Sequence, residues 1–162
     1  MRIVLILAGI VLVGFGRPAA SQEWTTFVEP SLGTRLKLPG GVFTIHEGPA
    51  SRGFGEQYKT IDGRAVLAVY SQRNVQHDTP ATYLRRTYRV PRTAMDYVRV
   101  TRSFFAVSAV NEGMIFYSRC NFSRRSGGTI HCFDLKYPEQ EKRAWDDIVT
   151  RISLSLEPLE RG

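Results

Sequence analysis

The chain has 162 residues, of which 43% are hydrophobic and 23% are charged, and this ordinary globular composition excludes an intrinsically disordered protein. The formal net charge is +7, and nearly all of the basic residues are arginines. The length fits one domain, which can bury a sufficient core without a metal ion or a dense disulfide scaffold. The arginine excess reflects either codon usage or forked contacts to carboxylate and phosphate groups, and both explanations stay open.

Residues 1–21 have the layout of a secretory signal peptide. Met1-Arg2 carries one positive charge, residues 3–15 are uncharged and mostly aliphatic, and Ala19-Ala20-Ser21 is a run of small residues. The apolar run is shorter than the roughly 20 residues of a membrane-spanning helix. We therefore predict cleavage after the second or third of the small residues, and a soluble periplasmic or secreted protein.

Cleavage leaves 22–162, which we predict to be a single α+β domain. Arg2 and Arg17 leave with the signal, so the formal charge falls from +7 by two, to +5. No cysteine lies near residue 20, so we expect no lipid anchor, and no other apolar segment is long enough to predict a stable membrane span after cleavage.

Short strands separated by turns are predicted in the first half of this domain. They cover residues 25–28, 34–38, 57–60 and 65–70. Asp62-Gly63, between the last two, tolerates the positive φ angles of a tight hairpin turn. Residues 49–55, which lie between the second and third of these strands, are rich in small side chains and are predicted to form a loop.

A helix is predicted next, with Thr79 as its N-cap, Pro80 as its first residue and an end near Tyr88, before Val90-Pro91. Further strands are predicted at 97–101, 104–110, 114–121 and 129–137, with a hairpin turn at 126–128. Apolar residues at helical spacing predict a final helix between Pro138 and Pro158. The pattern indicates an α+β fold, a central antiparallel sheet with a medial and a C-terminal helix packed on it.

Cys120 and Cys132 are the only cysteines. They lie symmetrically about Ser126 on the two arms of the predicted hairpin, where a cross-strand disulfide can close. A redox-active pair is the alternative, but that chemistry usually uses Cys-x-x-Cys at the start of a helix. We predict a structural disulfide.

No recognisable set of catalytic or metal-binding residues is present in the sequence. His46, His77 and His131 lack the spacing of a zinc motif, and a strand directs neighbours such as His131 and Cys132 to opposite faces. The carboxylates of the last helix are interpreted as solvated surface; they are Glu139, Glu141, Asp146 and Asp147. Neither a Gly-x-Ser-x-Gly elbow nor a phosphate loop occurs. We expect a protein without catalysis, cofactor or metal.

The densest charge cluster comprises Arg85, Arg86, Arg89 and Arg92. Arg85 and Arg89 are four residues apart and share one helical face, with Arg86 beside them. This cluster is either a solvated surface or a contact for an acidic protein or an anionic component of the cell envelope. Export argues against nucleic acid as the partner.

Several local patterns recur in a familiar order along the chain. They are Trp24, 33–39, 62–65 with Val69-Tyr70, Phe104-Phe105, 115–119, 135–138 and 145–155. In this order they resemble a family of exported, mostly uncharacterised proteobacterial domains, which is in turn similar to the PsbP-like fold. The resemblance covers nearly all of residues 24–156, although Ser108-Ala109-Val110 departs from the expected Ser-Gly. It implies a central antiparallel sheet between helices, and roles in binding, scaffolding or chaperoning without catalysis.

We therefore expect an exported, non-enzymatic binding or scaffold domain, whose partner is a protein or an anionic envelope component. One alternative is a small-ligand receptor or an enzyme with an unrecognised site on the open face of the sheet. The other is a purely structural envelope protein. A deep pocket that gathers polar groups would favour the receptor, and a flat apolar patch rimmed by arginines would favour the binding domain.

Overall fold

The structure is a computed structural model that describes residues 23–88, 91–123 and 128–159, with the side chain of Arg92 left undescribed. The predicted signal peptide lies outside these ranges, as does most of the predicted turn at 126–128. Within the described ranges, no helix combines the length and the apolar character needed to cross a membrane.

The strands and helices alternate along the chain much as the sequence predicts. The strands are β1 (Trp24–Glu29), β2 (Thr34–Pro39), β3 (Ile45–Pro49), β4 (Phe54–Lys59), β5 (Val66–Arg73), β6 (Tyr97–Val100), β7 (Phe104–Asn111), β8 (Met114–Ser123), β9 (Thr129–Pro138) and β10 (Glu157–Pro158). The helices are α1 (Pro80–Thr87) and α2 (Lys142–Ser155), and short 3₁₀ turns cover Arg92–Ala94 and Glu139–Glu141.

Seven of these strands form one antiparallel sheet in the order β3-β4-β5-β9-β8-β7-β6. A second sheet has the order β1-β2-β10. The predicted central antiparallel sheet with a medial and a C-terminal helix is confirmed. β5 lies between β4 and β9, as its apolar residues on both faces predict.

The helix α2 and the small sheet cover one face of the large sheet. The core between these layers includes Leu67 and Phe133 of the large sheet, Leu36 of β2, and Trp145 and Ile152 of α2. Trp145, Val149 and Ile152 are buried because they recur at helical spacing on one side of α2.

The opposite face of the large sheet carries α1 and the disulfide. Thr79 caps α1 as predicted, and its Oγ1 accepts a hydrogen bond from the backbone N–H of Thr82. Tyr83 of α1 packs on Phe105 in a buried cluster with the disulfide. Cys120 and Cys132 face each other across β8 and β9, with 4.1 Å between their Cα atoms, so the predicted pairing is confirmed.

The prediction of a loop at 49–55 is partly wrong. β3 ends at Pro49, and β4 already begins at Phe54. His46-Glu47-Gly48 has no apolar alternation, so periodicity could not reveal β3. Gly55 lies so close to β5 that a Cβ would fall 1.9 Å from the carbonyl oxygen of Val69, which explains a glycine within a strand.

Two predictions for the C-terminal helix also need correction. α2 ends at Ser155, and Pro158, predicted to stop the helix, instead pairs with Thr34 in the small sheet. Glu141 is not simply solvated, because it forms an ion pair with Arg64 and accepts a hydrogen bond of 3.2 Å from the indole N–H of Trp145.

Candidate functional site

A cleft of about 610 Å³ lies between α2 and the outer strands β6, β7 and β8, and we call it the α2-side cleft. Alternate residues of a strand share a face, so Tyr97 and Arg99 of β6 lie on the same side as Tyr117 and Arg119 of β8. Phe104 of β7 lies between the two arginines. Aromatic and basic side chains therefore line one end of the cleft.

Arg119 is held by three kinds of contact. Its Nε donates to the side-chain oxygen of Asn121 at 3.0 Å, and its Nη1 donates to the hydroxyl of Ser153 at 3.1 Å. Its Cζ lies 4.4 Å from the centre of the Phe104 ring, and Arg99 approaches the same ring to 5.4 Å. The guanidinium of Arg119 is thus fixed in place, while part of its fork has no partner among the described residues.

The pKa of Arg119 departs from that of an ordinary arginine. Burial lowers its pKa below the ordinary value, and the positive charge of Arg99 acts in the same direction. Among the described residues, neither guanidinium forms an ion pair with a carboxylate. The cleft therefore holds two positive charges without a compensating negative one at this end.

The wall beside Arg119 is polar but uncharged. The hydroxyls of Tyr117 and Ser153 share a hydrogen bond of 2.9 Å, and burial raises the pKa of Tyr117. Both side chains stay neutral at ordinary pH and can donate hydrogen bonds. Neither offers a basic group that would activate a nucleophile.

Charge of the opposite sign lines the other end of the α2-side cleft. The acidic side chains there are Glu139 in the 3₁₀ turn before α2, Asp146 of α2 and Asp96 just before β6, and the basic Lys142 of α2 lies with them. Burial raises the pKa of Tyr137 to about 12, and the negative charge of Asp146 adds to that increase. The cleft is therefore positive at one end and negative at the other.

A second groove of about 680 Å³ lies on the face of the sheet that carries α1, and we call it the α1-side groove. At its base, Asp134 accepts hydrogen bonds from the hydroxyls of Tyr70 (3.1 Å), Tyr88 (2.9 Å) and Ser118 (2.5 Å). The guanidinium of Arg52 lies 4.0 Å from the same carboxylate. Burial, followed by the charge of Asp134, raises the pKa values of Tyr70 and Tyr88. This cluster is internally satisfied and close to neutral overall.

Comparison with known proteins shows a likeness of fold. No protein-family model matches the chain, and no curated protein matches it. Among solved structures, the chain is similar to the solution structure of cyanobacterial PsbP (CyanoP) from Synechocystis sp. PCC 6803, with a TM-score of 0.60 and 12% sequence identity. The alignment covers 90% of this chain and 98% of that chain. The chain has a PsbP-like fold.

At this identity the likeness establishes the fold alone. The PsbP-like sheet explains how residues distant in sequence meet in the α2-side cleft. β6 and β8 flank β7, so Arg99 and Arg119, twenty positions apart, point over the same aromatic ring.

The structure only partly describes the arginine cluster that the sequence singled out. Arg85 and Arg86 are exposed on α1. The guanidinium of Arg86 already has partners within the chain. Its Nη2 lies 2.5 Å from a carboxylate oxygen of Asp78, and its Cζ lies 5.3 Å from the centre of the Tyr83 ring. Arg89 and the side chain of Arg92 lie outside the described part of the structure. A partner contact by this cluster stays a prediction.

The histidines lie far apart. His46 is exposed and lies 2.7 Å from a carboxylate oxygen of Glu56. His131 is completely buried, and its Nδ1 lies 2.7 Å from the hydroxyl of Thr34. In the part of the chain that the structure describes, no three His, Cys, Asp or Glu side chains are placed to hold a metal ion.

Sequence reasoning missed the α2-side cleft because it searched for dense charge rather than for shared faces. Tyr97-x-Arg99 and Tyr117-x-Arg119 repeat one pattern, tyrosine and arginine two residues apart on a predicted strand. Spacing by two directs both side chains to one face. That repeated pattern was the available signal.

Proposed function

We propose that this protein is an exported, non-enzymatic binding domain that holds an anionic group of its partner in the α2-side cleft. The observation that carries the proposal is the pair Arg99 and Arg119, which flank Phe104 and form no ion pair with a carboxylate of the described chain. The partner is a protein or an anionic component of the cell envelope.

The physical reason is the cost of burying charge. Arg119 is half-buried, and burial already lowers its pKa, so the described residues compensate its charge poorly. A carboxylate or phosphate would accept from the unused part of its fork, and such charge-assisted hydrogen bonds are stronger than neutral ones. Because Asn121, Ser153 and Phe104 already fix the guanidinium, little side-chain entropy is lost on binding.

Export is supported by the layout of residues 1–21 and by the Cys120–Cys132 disulfide, since disulfides persist mainly in oxidising compartments. The periplasm of a proteobacterium is the location we propose, in agreement with the family that the sequence resembles. The exposed Arg85 offers a second contact for an acidic partner, separate from the α2-side cleft.

A small-ligand receptor is the second candidate. Both the α2-side cleft and the α1-side groove, at about 610 and 680 Å³, fall within the roughly 300–1,000 Å³ range of small-molecule sites. The anionic group would then belong to a free molecule rather than to a protein or a membrane.

The proposal is tested with the mature protein immobilised and incubated with native periplasmic extract and, separately, with vesicles of phosphatidylglycerol or phosphatidylcholine. The Arg99→Gln/Arg119→Gln variant removes the two cleft charges. The Arg102→Gln variant is the control, because Arg102 is exposed and does not line the cleft. Circular dichroism confirms that each variant is folded.

We expect a partner that is retained by the wild type and by Arg102→Gln, is lost with Arg99→Gln/Arg119→Gln, and is released as salt rises. Retention of the same partners by all three proteins would contradict the proposal. Selective retention of phosphatidylglycerol vesicles would identify the anion as a lipid headgroup, and a cleft-dependent protein would identify it as a protein side chain.

A further inference from the structure

We propose that the α2-side cleft selects a dipolar ligand, with a carboxylate or phosphate at its arginine end, an apolar body, and a cationic group at its opposite end. This inference rests on the proposed function and extends it from the charge of one group to the charge pattern of the whole ligand. It fixes the direction in which the ligand lies.

The separation between the two ends follows from the register of the strands. On β8, Arg119 lies opposite Ala106 of β7, and Ile115 lies opposite Tyr137 of β9. Arg119 and Ile115 are four residues apart on one strand and share a face, which corresponds to about 13 Å at a rise of roughly 3.3 Å per residue. A ligand that contacts both ends must span about this distance.

The far end carries a net negative charge. Glu139, Asp146 and Asp96 contribute three negative charges to the lining, and Lys142 contributes one positive charge. Among the described residues, none of these four side chains takes part in an ion pair. A cationic group therefore meets a net negative field there, whereas a second anion meets repulsion.

Apolar side chains also line the cleft, beside Ser108 and Tyr117, which lie in the row of the sheet between the two ends. Ala106, Val110 and Ile115 come from the sheet, and Val149 and Leu154 come from α2. Leu154 is 75% exposed and is therefore accessible to a ligand in the cleft. Burial of an aliphatic or aromatic ligand body against these side chains supplies affinity without changing the preference for charge.

The length of the cleft separates this ligand from a zwitterionic lipid headgroup, whose two charges are adjacent. A peptide segment or a long amino acid with separated charges fits the cleft, because its ammonium and carboxylate groups can reach opposite ends.

The test compares three probes that have the same carbon chain and different ends. They are ω-aminoundecanoate, undecanoate and undecanedioate, titrated into the mature full-length chain at low salt and followed by calorimetry and by backbone amide chemical shifts. Phosphorylethanolamine serves as the probe whose charges are adjacent. The variants are Arg119→Gln at one end and Glu139→Gln/Asp146→Asn at the other, and Asp147→Asn is the matched control because Asp147 is exposed on α2 but does not line the cleft.

We expect ω-aminoundecanoate to bind about threefold more tightly than undecanoate, because exposed charge pairs contribute modestly. Undecanedioate should bind more weakly than both, and phosphorylethanolamine should bind weakest. Arg119→Gln should weaken every carboxylate probe about tenfold, as expected for a charge-assisted hydrogen bond. Glu139→Gln/Asp146→Asn should abolish the preference for the amino acid, and Asp147→Asn should preserve it.

Two results would overturn the inference in distinguishable ways. If undecanoate binds through Arg119 but ω-aminoundecanoate and undecanedioate bind equally well, the dipolar selection is wrong and the proposed anion site stands. If none of the probes depends on Arg119, both proposals fail. Amide shifts confined to β6, β7, β8 and α2 with the turn before it are expected, and shifts confined to the α1-side groove would also overturn the inference.

Discussion

The guanidinium of Arg119 lies over the ring of Phe104, with its Cζ 4.4 Å from the ring centre. Cation–π contacts of this kind contribute about 0.5–2 kcal/mol, more where the cation is desolvated. Arg99 lies 5.4 Å from the same ring, so one aromatic side chain supports two like charges. The ring offsets part of their repulsion and keeps both guanidinium groups directed toward the cleft.

Replacement of Arg119 by lysine tests whether this geometry matters beyond the charge. Lysine keeps the positive charge but lacks the planar fork that contacts Asn121 and Ser153 together. We expect Arg119→Lys to weaken undecanoate binding about threefold, a loss of about 0.7 kcal/mol and less than that of Arg119→Gln, with little change in the free energy of unfolding. Calorimetry measures the affinity, and Arg102→Lys is the control. Unchanged affinity would show that charge alone is sufficient.

The Cys120–Cys132 disulfide should make a large contribution to stability. It closes a loop with a sequence separation of 12, and both residues are fully buried. On the chain-entropy model such a loop contributes about 3 kcal/mol. We expect Cys120→Ala/Cys132→Ala to lower the free energy of unfolding in urea by about this amount. The wild type measured in reductant should approach the variant, and equal stability with and without the bridge would contradict the prediction.

His131 should make the protein sensitive to acid. Burial lowers its pKa from 6.5 to about 4, although the nearby Glu29 acts in the opposite direction. Between these two pH values the unfolded state binds the proton and the folded state does not, so stability falls as pH falls from 6.5 to about 4. The full loss corresponds to about 3 kcal/mol at 1.36 kcal/mol per unit of pKa.

The control for this prediction must leave no buried hydroxyl without a partner. His131→Leu/Thr34→Val replaces both members of the buried pair and should flatten stability against pH in that window.

Glu29 adds a separate effect. Burial would raise its pKa, but hydrogen bonds from Ser71, Leu32 and Ser31 outweigh this and lower it. Its contribution is therefore lost at pH values below its ordinary pKa of 4.5. A slope that persists above pH 4.5 in the double variant would exclude His131 as the cause.

The elements that the sequence predicts best are those whose local pattern and tertiary role agree. Thr79-Pro80 starts a helix for local reasons, and the apolar residues of β5 predict its position inside the sheet. β3 and β10 could not be predicted in this way. Glu157–Pro158 is held by its pairing with β2, and the ion pair of Glu157 with Arg35 (2.8 Å) spans most of the chain.

The candidate site, too, depends partly on local pattern and partly on tertiary pairing. The strands that carry Arg99 and Arg119 were predicted, and alternation along a strand fixes the face of each side chain relative to its neighbours. Their convergence on Phe104 depends on β7 lying between β6 and β8 and on the register of both pairings. Strand order and register are long-range properties, so an α1 arginine cluster that is dense in sequence was easier to find than two arginines that meet in space.

The hydrogen-bonded cluster at the base of the α1-side groove provides the last prediction. Asp134 accepts from three hydroxyls, those of Tyr70, Tyr88 and Ser118, and faces Arg52. In Asp134→Asn, an amide nitrogen replaces one acceptor, so at least one buried hydroxyl loses its partner and Arg52 loses its counter-charge.

We expect Asp134→Asn to lower the free energy of unfolding by about 2 kcal/mol, because an unsatisfied buried group costs about 1–3 kcal/mol. Tyr88→Phe removes one donor while the carboxylate keeps two others, and should cost about 1 kcal/mol. Urea denaturation measures both, with Asp147→Asn as the exposed control. If Asp134→Asn is as stable as that control, the cluster does not support the fold.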